Sequence, residues 1–197
     1  ASNKIDNYIQ RLKDLGMSAG AITDHGNMYG AIEFYQKAMK ADIKPIIGCE
    51  MYVATGSRFD KSSQKGDTRY YHLVLLCENM TGYKNLIKLV SNAWVDGFYY
   101  RARTDREDLE KHKEGLIVCS ACIGGEIPRK ILAGDLAGAE EACRWYHSVF
   151  GDDFYLELQR HEVTDPNVIA NRETFGLQQE VNNVLIPMAQ REGVKLI

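Results

Sequence analysis

The stretch "AITDHGNMYGAIEFYQKA", residues 21–38, runs an apolar segment into Asp24, His25 and Gly26 and leaves it as a helical pattern. A short apolar run, a glycine turn and then Ile32, Tyr35 and Met39 on one stripe at helical spacing read as a strand feeding a helix. The same alternation extends in both directions. Upstream, Ile5, Tyr8, Ile9, Leu12 and Leu15 share a helical face over residues 3–15, with Asn3 and Asp6 placed as an N-cap and its third-residue partner and Gly16 as the stop. Downstream, strands are expected at "IKPIIGCEMYVA" (43–54), entered through Pro45, at "YYHLVLLCE" (70–78), "GLIVCSACI" (115–123), "FYLELQRH" (154–161) and "VKLI" (194–197). Between them lie a helix at 81–95, capped by Thr81 with Tyr83, Leu86, Ile87, Val90 and Trp94 inward, and a second marked by Leu136, Ala139, Cys143, Tyr146 and Phe150. A third carries Val181, Val184, Leu185 and Met188, with Pro187 expected to kink or shorten it. The polar run 56–69 reads as a mobile surface excursion.

Strands alternating with helices imply parallel pairing and right-handed crossovers, so the expected class is α/β, either an open doubly wound sheet or a (βα) barrel. A chain that opens on a helix and closes on a strand looks like a barrel cut at both ends, since such barrels typically need about 250 residues. We therefore expect residues 1–197 to be one domain, truncated at both ends.

Composition narrows the class of protein. The 197 residues, 45% of them hydrophobic, suffice for one domain with its own core. Apolar runs such as "LVLLC" at 73–77 have strand length, so no membrane span is expected, and no leader peptide is visible. The five cysteines are odd in number and scattered through apolar runs, which suggests reduced thiols and a cytoplasmic location. A net charge of −3 gives no global basic field, so any nucleic acid must meet a local patch.

In α/β folds ligands gather at the carboxyl ends of parallel strands. By that rule Asp24, His25, Glu50 and Cys122 stand out, whereas His72 lies early in its strand and is disfavoured. Imidazole, thiolate and carboxylate from successive strands have the composition of a divalent metal site, with Asp24 placed to orient an imidazole. The competing reading is ordinary, because a single histidine at a strand end is more often a satisfied polar residue than a ligand. Cys119-x-x-Cys122 is also open to a redox or zinc-knuckle reading, but no second pair accompanies it, and Cys119 is better read as core. His112 reads as a solvated helix residue, His147 as packing near a helix end, and His161 stays open. In "WVDGFYYRARTDR" (94–106), Tyr99, Tyr100, Arg101 and Arg103 combine aromatics with arginines, which suits base stacking and phosphate tracking as well as it suits a packed loop.

The segments beginning "AITDHGNMYGAIEFYQKAMKADIKPIIGCEMYVA", "YYHLVLLCENMTGYKNLIKLVSNAW" and "GFYYRARTDREDLEKHKEGLIVCSACIGGEIPRKILAGD", with "FYLELQRH", resemble the N-terminal polymerase-and-histidinol-phosphatase (PHP) domains of bacterial DNA polymerase III alpha subunits. The resemblance runs from about Asp6 to Ile197. It implies a distorted seven-stranded (βα) barrel holding up to three zinc, manganese or magnesium ions and hydrolysing phosphoesters. It also implies that His25, Glu50, His72 and Cys122 are metal ligands, Glu50 bridging, and so reinstates His72. The family's His-x-His pair and following acid would precede Ala1, and its Asp-x-His pair would follow Ile197.

For the parent protein the resemblance implies DNA-directed DNA polymerase (nucleotidyltransferase) activity in replication. DNA, the sliding clamp, the clamp loader and, in some members, a separate proofreading exonuclease subunit would be its partners. The domain itself would be a metal-dependent 3′ to 5′ exonuclease or, where the ligands have decayed, a platform that docks the proofreading subunit. A free-standing small-molecule phosphoesterase of the histidinol phosphatase type follows the pattern less well.

Overall fold

The computed structural model describes residues 3–62, 70–163, 165 and 169–197, and shows an α/β protein on a mixed seven-stranded sheet. The strands are β1 (Ala19–His25), β2 (Lys44–Ala54), β3 (Tyr70–Cys77), β4 (Arg103–Thr104), β5 (Leu116–Cys119), β6 (Phe154–Leu156) and β7 (Lys195–Leu196). Their order is β1-β2-β3-β5-β6-β7, with β4 paired to β2. Among the described residues the sheet does not close on itself. The second half of the 56–69 excursion lies outside the described residues.

The expectation of wholly parallel pairing is corrected at one strand. β1 and β2 are parallel, as are β5, β6 and β7, but β3 runs antiparallel to both of its neighbours. The segment between β2 and β3 contains the polar excursion and no described helix, so no crossover returns the chain to the starting edge of the sheet. The beginning of β3 therefore lies at the same sheet edge as the ends of β1, β2 and β5. β2 is long enough to serve two neighbours on one side, pairing with β1 up to Glu50 and with β4 at Tyr52 and Val53.

Helices α1 (Ile5–Asp14), α2 (Ala31–Lys40), α3 (Met80–Val95), α4 (Arg106–Lys111), α5 (Glu126–Leu132), α6 (Leu136–Phe150) and α7 (Ile169–Glu192) cover the sheet. Three local readings change. Asn3 and Asp6 do not cap α1; Lys4 occupies that position without a side-chain bond, and Asp6 pairs with Lys37 at 2.7 Å. The Ile32, Tyr35 and Met39 stripe of α2 faces outward, because Ala31, Phe34 and Ala38 form the buried face. Asn79, not Thr81, caps α3 by accepting from Gly82 N at 3.1 Å, and Leu86, Leu89 and Ala93 form its inner face while Ile87 and Trp94 stay exposed. α7 runs on through Pro187 to Glu192.

The main core lies between the central strands and α3, α5, α6 and α7, around Met51, Leu75, Leu86, Val118, Tyr146 and Phe154. A smaller one joins α1 and α2 outside β1, where Phe34 is fully buried and stacks on Tyr8 at 5.8 Å. Burying a side chain of that size is worth about 1.5–3 kcal/mol, enough to hold α1 against the sheet edge. Close packing at the α3 start leaves no room for a side chain at Gly82, whose added Cβ would run into the Gly115 carbonyl oxygen. We expect Gly82→Ala to lose about 3 kcal/mol in a urea unfolding measurement, the upper range for overpacking. An unchanged midpoint would show that the α3 to β5 approach can loosen without cost.

Candidate metal centre

Reversal of β3 brings the four candidate donors together. His25 ends β1, Glu50 lies opposite it on β2, His72 faces Tyr52 across the antiparallel seam, and Cys122 follows β5. The loop after β5 is tied to β3 by a bridge between His72 and Gly125 and by a bond from His72 N to Gly124 O at 3.0 Å. His72 is therefore at the ligand edge although it comes early in its strand. The strand-end rule discounted it only because the strand was taken as parallel.

The two oxygens of Glu50 face different imidazoles. Oε1 lies 2.7 Å from His72 Nδ1, and Oε2 lies 3.5 Å from His25 Nδ1. Cys122 Sγ sits 3.4 Å from His72 Nδ1 and accepts a hydrogen bond from Gly124 N at 3.3 Å. One donor atom each from Glu50, His72 and Cys122 lies within 4.8 Å of the other two, a spacing that fits one divalent cation. Contact with Cys122 first, and with Glu50 second, raises His72 to about 9 against the opposing pull of burial. The remaining cysteines differ. Burial pushes the Cys49, Cys119 and Cys143 thiols up to about 12 and Cys77 up to about 11, as suits inert core residues. Cys119 is thus core, as its place in "LIVC" suggests.

Other candidates are placed elsewhere. Asp24 alternates with His25 along β1, and its carboxylate accepts from Gly30 N at 3.3 Å, so it fastens the turn before α2 instead of reaching the His25 ring. Arg103 is a correction: only 4% exposed, its guanidinium donates to Gly97 O, Arg58 O and Asp60 O, and it is not presented to DNA. Tyr99 is half-buried, whereas Tyr100 and Arg101 are exposed. His112 is buried and pairs with Asp108 at 3.2 Å, which corrects the solvated reading. His147 is half-buried in the last turn of α6, and His161 Nδ1 meets Gln178 Nε2 at 2.6 Å.

Tyr52 escaped the sequence reading. It shares the strand face of Glu50 by alternation, stacks on His25 at 6.3 Å, and meets the His72 ring edge-on at 5.3 Å. Period two counted from Glu50 would have found it. Gly26 has a positive φ of 65°, and an added Cβ would lie 3.0 Å from Tyr52, so the turn beside His25 needs glycine.

The PHP domain family model matches residues 1–161. The DNA polymerase III subunit alpha of Borreliella burgdorferi is 53% identical over 169 residues, covering 86% of this chain and 15% of that protein. That of Treponema pallidum is 41% identical over 197 residues, covering 100% of this chain and 16% of that protein. The chain thus spans about one sixth of the length of these relatives. Among solved structures, an amidohydrolase from Chromobacterium violaceum with bound sulfate and no metal aligns over 95% of this chain and 78% of its own, at 13% identity and a TM-score of 0.44.

Proposed function

The chain belongs to the PHP domain family, and from that premise we propose that its clustered donors form a divalent-metal centre for phosphodiester hydrolysis. The observation that carries this reading is the placement of Glu50 between two imidazoles, with the Cys122 thiol against one of them. Carboxylate, imidazole and thiolate within reach of one point suit zinc, and manganese or magnesium where the carboxylate dominates. A bound divalent ion supplies Lewis acidity toward a phosphoryl oxygen and lowers the pKa of a water it holds.

The protein's own residues do the rest. His72 and Cys122 are held by the β3 pairing and the 122–125 turn, so they hold the centre in place. Glu50 offers a second oxygen toward His25, which is 62% exposed at its side chain and stands at the mouth of the site, where substrate enters. Tyr52 walls the imidazoles from one side and keeps their rings in position.

The named relatives support a wider proposal: the whole protein is a DNA polymerase III alpha subunit working on DNA with other replicase subunits in the cytoplasm, and this domain removes nucleotides from mispaired 3′ ends. To test it, the full-length protein that carries this domain is loaded with manganese or zinc and given a 5′-labelled single-stranded DNA. Mononucleotides are expected from the 3′ end, and a chelator stops their release. A protein shown by elemental analysis to hold metal, yet releasing nothing, overturns the hydrolytic reading and leaves a docking platform in its place.

A further inference from the structure

Beside the donors opens a cleft of about 410 Å³, walled by His25, Tyr52, Trp94, Phe98, Tyr100 and Arg101. Its volume lies in the ~300–1,000 Å³ range of small-molecule sites. Three features set it apart from a packed loop. First, it is built from large aromatics left open to water: Trp94 is 45% exposed, Phe98 47% and Tyr100 60%. Second, that wall is fixed to the metal centre, because Trp94 Nε1 donates to Gly26 O at 2.9 Å, one residue from His25, and stacks on Phe98 at 5.5 Å. Third, Tyr100 has a positive φ of 62°, a backbone region that bulky residues rarely occupy, and it holds its ring outward at the lip.

Charge points the same way. The Arg101 guanidinium lies 5.8 Å from the centre of the Tyr52 ring, which also meets His25 and His72, so the cleft carries one cation close to the donors. Among the described residues, the cleft lining carries no carboxylate. A flat apolar surface with one adjoining cation matches a nucleobase and its backbone phosphate. A sugar phosphate would use the cation and leave the aromatic wall wet.

We infer that this cleft receives an unpaired base of single-stranded DNA. Tyr100 and Phe98 offer ring faces to the base, and Arg101 meets the backbone phosphate next to the one presented to Glu50, His72 and Cys122. The assignment rests on the phosphodiesterase reading and adds a base-binding subsite to it. Arg103, its neighbour in sequence, has no part because its guanidinium is spent on backbone carbonyls.

The test is binding of a fluorescent ten-nucleotide thymidine strand to the chain in a chelator, so that hydrolysis plays no part, with an abasic strand of equal length as the control. Phe98→Ala and Tyr100→Ala are each expected to weaken binding of the thymidine strand about tenfold and to leave the weaker abasic binding unchanged, as loss of one stacked base requires. Arg101→Gln is expected to weaken both strands and to reduce the salt slope by about 0.7. Because Tyr100 has a strained backbone, Tyr100→Phe serves as the second variant, keeping the ring and the affinity. The subsite is overturned if the abasic strand binds wild type as tightly as the thymidine strand, or if Phe98→Ala and Tyr100→Ala bind as wild type. Selective loss of thymidine binding in the two alanine variants, with a wild type that releases no nucleotide with metal, keeps the subsite and sinks the hydrolytic reading. Unchanged binding with release intact sinks the subsite alone.

Discussion

Glu50→Ala is expected to lower affinity for a divalent ion by more than about a hundredfold, because loss of a mere outer partner of a ligand already costs 10- to 100-fold. The carboxylate places one oxygen near each imidazole, at 2.7 Å and 3.5 Å, so its removal takes away a donor that both sides of the site share. It also leaves the Cys122 thiolate as the single anionic donor of the three-residue cluster. Nucleotide release should fall to background in the same protein. Titration calorimetry with zinc checks the affinity, and circular dichroism checks that the fold survives. Glu50→Gln separates charge from shape: it keeps the volume, loses the anion, and is expected to bind metal nearly as poorly as the alanine variant. A Glu50→Ala protein that retains the metal content of the wild type would show that the centre lies elsewhere.

The second large effect is on stability. Asp105 is 3% exposed and accepts three hydrogen bonds, from Arg58 N at 2.8 Å, from Arg58 Nη1 at 2.8 Å and from Asp108 N at 3.0 Å as the cap of α4. Arg58 is itself buried, and its Nε has no partner among the described residues. Asp105→Ala leaves that guanidinium with Asp108 at 4.0 Å as the nearest acid. Breaking a buried pair from one side costs about 3–5 kcal/mol, several times the ~0.2–1 kcal/mol of an exposed pair, because the stranded charge stays out of water. Urea unfolding of Asp105→Ala should show that loss, with Asp105→Asn recovering the cap but not the charge. A loss below 1 kcal/mol would mean that Arg58 escapes to solvent when released.

The alternation of strand and helix was legible from periodicity, and so were the places where the chain turns. Strand direction was not legible, because β3 has the same apolar pattern whichever way it runs; it pairs antiparallel to β2, and the described residues between Ala54 and Tyr70 hold no crossover helix. That single ambiguity accounts for the doubt over His72. Helix faces failed where the apolar residues outnumber one face: α2 presents both an Ile32, Tyr35, Met39 stripe and a Phe34, Ala38 stripe, and only the neighbours decide which is covered. Among charged residues, Asp24, Arg103 and His112 were misjudged for a common reason. Their partners are not ones that residue type announces: Asp24 accepts from Gly30 N, Arg103 donates to three backbone carbonyls, and His112 turns back to the Asp108 carboxylate one helical turn earlier.

The position of β3 has one more consequence, for lifetimes. β3 is paired on both sides, and His72 is tied further to the 124–125 backbone, so the amide protons around His72 belong to the slowest-opening part of the sheet, whereas the His25 side chain is 62% exposed at the end of β1. Local opening is graded in this way, with exposed segments released at lower free energy than doubly paired ones. The cluster therefore has a persistent side, made of His72 and the turn it anchors, and a side that opens and recloses many times while the rest stays shut. His25, on that exposed side, is also the residue at which the aromatic cleft adjoins the donors.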